Sequence, residues 1–179
     1  LLALLLVPLF SGASIASTLP TAEISQKLGI GTGPSLSVDF KLGSRTSLGF
    51  SLGTPLYRGV FQSGLYDIRL VQNFLDQGKL DLSGIIGVTG NPSFNTNYIG
   101  SLVGIEAGIA LSYKLLPALT GRLNIVGAFP IDNFGRVSGS FFSFLAPSSG
   151  LELAYKFTSN IEGTLGGNGH GDFLGLNLY

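Results

Sequence analysis

Strict alternation is the feature that most limits what this chain can fold into. In residues 150–166, "GLELAYKFTSNIEGTLG", Leu151, Leu153, Tyr155 and Phe157 alternate with Glu152, Ala154 and Lys156. After a polar break, Ile161 and Leu165 keep one parity against Glu162 and Thr164. Successive side chains of an extended strand leave on opposite faces, so this period of two marks strands with one apolar and one polar face. The pattern recurs. Leu36, Val38, Phe40 and Leu42 oppose Asp39 and Lys41; Tyr66, Ile68 and Leu70 oppose Asp67 and Arg69. Leu80, Leu82, Ile86 and Val88 oppose Asp81; Val103, Ile105, Ala107, Ile109 and Leu111 oppose Glu106; Leu123 and Ile125 oppose Arg122 and Asn124. A soluble sheet buries the apolar face and wets the charged one. A membrane barrel does the reverse, with lipid outside and the polar face within.

Composition favours the second arrangement. The 179 residues, enough for one domain, are 45% hydrophobic and only 11% charged. Yet no stretch after the first ten residues approaches the ~18–20 apolar residues of a membrane helix. The 10 basic and 10 acidic residues balance, so nucleic acid finds no electrostatic footprint and is not expected as a partner. With no Cys there is no disulfide, thiolate metal site or cysteine nucleophile.

The opening "LLALLLVPLFSGASIAS" reads as the apolar part of a secretory signal peptide, with Ser14 and Ala16 at the −3 and −1 positions of a cleavage site. A buried helix is the competing reading. The chain does not begin with Met, and the basic start of the leader is expected upstream of Leu1. The expected division is residues 1–16 as leader and 17–179 as barrel.

Four short polar breaks lie between alternating runs: "KLGSRTS" (41–47), "FLDQGKLD" (74–81), "YKLLPALTGR" (113–122) and "YKFTSNIE" (155–162). Connections richer in Gly, Pro and Asn, at 54–63, 89–98 and 130–149, alternate with them. Short turns on one rim and longer loops on the other are the habit of transmembrane barrels. If both chain ends share the short-turn rim, four turns imply ten strands. "EISQKLGIG" (23–31) supplies the first and "GDFLGLNLY" (171–179) the last. The expected fold is all-β, a transmembrane antiparallel up-and-down barrel of ten strands, with eight as the alternative.

The minority face then collects the charges: Lys27, Asp39, Lys41, Asp67, Arg69, Asp81, Glu106, Arg122, Glu152, Lys156 and Glu162. Five basic and six acidic residues suit a paired lumen network. On the lipid face a midplane Arg or Lys would cost ~2–4 kcal/mol. Arg122 is expected to meet Glu152 or Lys156, and Glu106 to lie near Asp81. Aromatics form two expected girdles. Phe40, Phe74, Tyr113, Tyr155 and Phe157 flank the short turns; Tyr57, Phe61, Tyr66, Tyr98 and Phe129 lie towards the long loops. Aromatics of a soluble core are the competing reading.

Together these runs, turns and girdles resemble the small outer-membrane β-barrel proteins of didermal bacteria, over residues ~20–179. The resemblance implies export, residence in the outer membrane, contact with its lipid, and insertion by the barrel-insertion machinery. It also implies a C-terminal strand ending in an aromatic residue as insertion signal. Tyr179 is of that type and is the expected signal, but it is out of phase with Leu174, Leu176 and Leu178, so either it is an imperfect signal or, the favoured expectation, a further aromatic residue follows at 180.

Catalytic chemistry has little to build on. His170 is the only histidine, in the loop "GGNGHGDF", and a solvated loop residue is its expected role. A single histidine makes a transition-metal site unexpected. "GIGTGP" (29–34) and "GGNGHG" lack the Lys-Ser/Thr of a phosphate loop and are expected as bends and turns. No catalytic residue, metal or cofactor is expected, and the barrel is expected to be a monomer. Three functions compete: a structural or surface-interaction barrel with a filled lumen, a small-solute pore, and an outer-leaflet lipid-modifying enzyme.

Overall fold

The computed structural model of the chain describes residues 19–31, 35–53, 56–57, 60–61, 65–90, 104–130, 149–168 and 171–179. The expected leader, residues 1–16, lies outside them, as do Tyr98 and His170.

The strands are β1 (Lys27–Gly31), β2 (Ser35–Lys41), β3 (Thr46–Gly53), β4 (Leu56–Tyr57), β5 (Val60–Phe61), β6 (Leu65–Asp76), β7 (Leu80–Gly90), β8 (Gly104–Leu116), β9 (Leu119–Pro130), β10 (Gly150–Lys156), β11 (Ile161–Asn168) and β12 (Gly171–Leu178). Ten of them close into one antiparallel barrel in the order β1-β12-β11-β10-β9-β8-β7-β6-β3-β2. Among the described residues the two-residue strands β4 and β5, between β3 and β6 in sequence, pair with each other alone. The fold is therefore an up-and-down barrel of ten strands, and among the described residues there is no helix.

The four short turns share a rim, and the backbone shows how. Each turn gives a carbonyl to the next hairpin: Arg45 O accepts from Asn73 N (2.8 Å), Lys79 O from Lys114 N (2.8 Å), Ala118 O from Lys156 N (2.8 Å), and Asn160 O from Tyr179 N (3.0 Å). The turn after β6 needs glycine at Gly78, whose φ of 68° is costly for a side chain. The C-terminus and the start of β1 belong to this same rim, since Lys27 pairs with Asp39, close to the β2–β3 turn.

Two bulges adjust the ladder on that side. One falls between Asn73 and Leu75, the other between Lys114 and Leu116. A bulge adds one unpaired residue and re-aims the strand. The added residues are Phe74 and Leu115, and each covers a glycine on the outer face: the Phe74 ring lies over Gly84 and Leu115 over Gly121. Phe157 covers Gly163 in the same manner.

The first strand departs from expectation. Residues 23–26 do not join β1. From the exposed Gln26 the chain runs back into the barrel, and residues 19–22 are buried there. The segment 19–25, here called the strap, makes no ladder with any strand.

The barrel is inverted in polarity relative to a soluble domain. Every one of its ten strands presents large apolar side chains outward, at 37–62% exposure. The buried positions are mostly polar or charged. The buried apolar wall residues Val71, Ile85, Ala110 and Val126 form one cluster with Ala22 of the strap, and Ile24 packs against it.

Candidate functional site

The interior holds two ion clusters and the strap. Parity alone places their members inside, and register decides who meets whom.

The first cluster centres on Arg69. In register around the wall stand Lys27 (β1), Asp39 (β2), Gly49 (β3), Arg69 (β6), Gly87 (β7) and Glu106 (β8). Arg69 crosses β3 to reach Asp39, Nη2 to Oδ1 at 3.1 Å. It also pairs with Asp67 on its own strand and donates to Ser51 Oγ. Gly49 makes the crossing feasible. A Cβ there would collide with Asp39 Oδ1 and stand 2.9 Å from Arg69 Nε. Lys27 Nζ adds a second cation, 3.4 Å from Asp39 Oδ2. Glu106 acts electrostatically on Arg69 across the side-chain-free Gly87.

The second cluster centres on Arg122. Arg122 and Glu152 are direct register partners on β9 and β10, with Nη1 2.7 Å from Glu152 Oε1. The guanidinium also grips Glu162 of β11 in bidentate fashion, at 2.8 Å and 3.1 Å, the planar fork geometry that favours Arg over Lys. Glu162 Oε1 further accepts from Asn177 Nδ2 and the Tyr179 hydroxyl, both at 2.9 Å. Glu23 of the strap brings a third carboxylate, its Oε2 3.4 Å from Arg122 Nε and accepting from Ser112 Oγ at 3.0 Å.

The strap is held chiefly through its main-chain carbonyls. Leu19 O accepts from Lys27 Nζ (3.2 Å), Pro20 O from Asn124 Nδ2 (2.7 Å), and Ala22 O from both Asn73 Nδ2 (3.1 Å) and Ser83 Oγ (2.7 Å). Barrel side chains thus satisfy backbone acceptors that burial would otherwise leave unpaired.

Of the expected lumen residues, Lys27, Asp39, Asp67, Arg69, Asp81, Glu106, Arg122, Glu152 and Glu162 are buried inside, none above 5% exposure. Lys41 and Lys156 are not in the interior: both are exposed. They have the inward parity but end their strands at the short-turn rim, where a long cation reaches water; Lys156 lies 5.2 Å from the Tyr179 ring centre. Asp81 does not approach Glu106. It stands opposite Ser112, while Glu106 stands opposite Gly87.

On the outside, Phe40, Phe74, Tyr113, Tyr155 and Phe157 are exposed near the short turns. Phe40 meets Phe50 edge-on at 6.1 Å, and Tyr155 meets Phe157 at 5.3 Å. Tyr66 and Phe129 are half-buried on the outer parity. The side chains of Tyr57 and Phe61 lie outside the described residues, as does all of Tyr98. Tyr179, expected as an insertion signal, has its hydroxyl on Glu162 in the interior.

Sequence reasoning missed Glu23, the strap and its donors Asn73, Ser83 and Ser112, and placed Asn124 on the inward face without assigning it a partner. Their shared signal is faint: polar but uncharged residues on the inward parity of β6–β9. No protein-family model matches this chain, and no curated protein matches it in sequence. The fold and interior define a ten-stranded, closed, up-and-down β-barrel with a charged, strap-filled core.

Proposed function

We propose that this chain is an integral outer-membrane β-barrel protein with a filled lumen, serving a structural or surface-interaction role. One observation carries the reading: the inversion of polarity around a closed barrel. Apolar side chains of all ten strands face out while nine charged residues are buried within. An apolar patch far smaller than this belt already marks a contact surface on a soluble protein. Lipid satisfies the belt, and closure satisfies every strand edge. The exposed aromatics beside the short turns fit the headgroup level of a bilayer. The reading includes the leader for export and insertion by the barrel machinery, and it assigns no catalytic role.

The test is fractionation and gel migration of the full chain. The protein should recover with outer membranes and migrate faster unheated than boiled. Recovery in a detergent-free soluble fraction would end the reading. A second reading, a small-solute pore, is favoured by the strap being held by hydrogen bonds and ion pairs rather than by a strand ladder.

A further inference from the structure

We infer that the strap is a displaceable plug and that the space it fills is a cation-selective path through the barrel. The inference rests on the membrane-spanning reading above.

Width is the first argument. Barrel diameter grows about linearly with strand number, and eight strands leave an interior just filled by side chains. Ten strands therefore enclose a cross-section roughly half again as large. Inward side chains of this barrel do not make up the difference on one wall. Between the Arg69 cluster on β1–β2–β3–β6 and the Arg122 cluster on β9–β12, the inner wall includes a run of small residues, Ser83 and Gly87 of β7 and Gly108, Ala110 and Ser112 of β8, interrupted by Ile85 and flanked by Asp81, Thr89 and Glu106. The strap lies against that wall, with Ala22 among Val71, Ile85, Ala110 and Val126.

The manner of attachment is the second argument. Both clusters are closed mainly by pairs among barrel residues, so each keeps its wall when the strap leaves. Beside the apolar contact of Ala22 and Ile24, the strap contributes one charged group, Glu23, and carbonyls that accept from Lys27, Asn73, Ser83 and Asn124. Water can replace it at each of those donors.

Charge is the third. Without Glu23, the buried charged residues of the described wall are Lys27, Arg69 and Arg122 against Asp39, Asp67, Asp81, Glu106, Glu152 and Glu162, a formal −3. A narrow path with that excess concentrates cations and repels anions.

The experiment compares the full chain with two variants in planar phosphatidylcholine bilayers bathed in KCl, the same preparations being checked for heat-modifiable migration. Ala22→Glu drives bulk and like charge into the apolar patch. The triple variant Asn73→Ala, Ser83→Ala, Asn124→Ala frees the Pro20 and Ala22 carbonyls without adding bulk. The full chain should be nearly silent, and each variant should pass about tenfold more current, with a reversal potential showing K⁺ preference. A synthetic peptide of residues 18–25, "TLPTAEIS", should lower the variant current while a scrambled one does not. Variants that insert and stay silent overturn the plug, leaving the membrane reading intact. So does a full chain that conducts as well as they do. Chloride preference overturns the selectivity. Failure of the full chain to insert overturns the membrane reading and the plug with it. If Ala22→Glu does not fold, the triple variant decides.

Discussion

Arg69 and Arg122 are buried alike, at 1% and 2% exposure, yet their surroundings differ in kind. Arg69 shares its cluster with a second cation, Lys27, and its paired acids Asp39 and Asp67 come from β2 and β6. The strands of these ion pairs, β1, β2 and β6, lie in the first half of the barrel. Among the described residues Arg122 is the one cation in direct ion pairs with Glu23, Glu152 and Glu162, drawn from the strap, β10 and β11, while Lys27 acts on Glu152 from farther off. Asn177 and Tyr179 complete it from the chain's last residues. One cluster is local and has two cations; the other gathers the strap and strands from β9 to β12 around Arg122. A buried charge left without its partner is far costlier than the pair's formation is favourable. The comparison therefore teaches that the barrel's most consequential residue is the cation with no understudy.

The largest expected effect follows from this. Arg122→Ala strands three carboxylates and should lower stability by about 3–5 kcal/mol in urea unfolding in detergent. Arg69→Ala should lower it by about 2–3 kcal/mol, less because Lys27 still faces Asp39. Equal losses for the two would break the comparison. Gly49→Ala tests whether the Arg69–Asp39 crossing needs an empty position on β3; about 1–3 kcal/mol of overpacking cost is expected from the same unfolding curves. Tyr179→Phe removes one hydrogen bond to Glu162 and should cost about 1 kcal/mol; its counterpart in the other cluster is the Ser51 hydroxyl on Asp67. Arg45→Ala, in an exposed turn, should stay within about 0.5 kcal/mol and serves as the baseline.

The same two clusters show what was legible in the sequence. Parity places a side chain on one face, so the inward set and the pairing of Arg122 with Glu152 could be read from alternation and turn position. Parity says nothing of depth. Lys41 and Lys156 share the inward phase but sit at the mouth, and Glu106 lies well away from Asp81. Depth depends on distance from the turn: Asp81 opens β7 beside a short turn, whereas Glu106 stands near the opposite end of β8, six register positions away. The strap escapes for a different reason. Its contacts run through backbone carbonyls, which every residue carries, so the residues of 19–22 leave almost no imprint of their destination. The expectation of one strand over 23–31 fails at the same place: the weak alternation of "EISQ" mimics a continuation of β1.

The seam where the barrel closes has a mechanical consequence. Strands β1 and β12 meet over only four described register positions, from Leu28↔Leu178 to Gly31↔Gly175. The start of β1 and the C-terminus stand side by side on one rim. Tension applied between them would load the ladder's hydrogen bonds one after another, as in a zipper, rather than all together as in shear. Such a joint yields at low force unless something behind it shares the load. Glu162 and Tyr179, tied through Arg122 to β9 and β10, bridge inward from that rim. They brace β12 against β11, β10 and β9 on one side of the seam, while the Lys27–Asp39 pair braces β1 against β2 on the other, so the joint opens along the ladder between two stiffened walls.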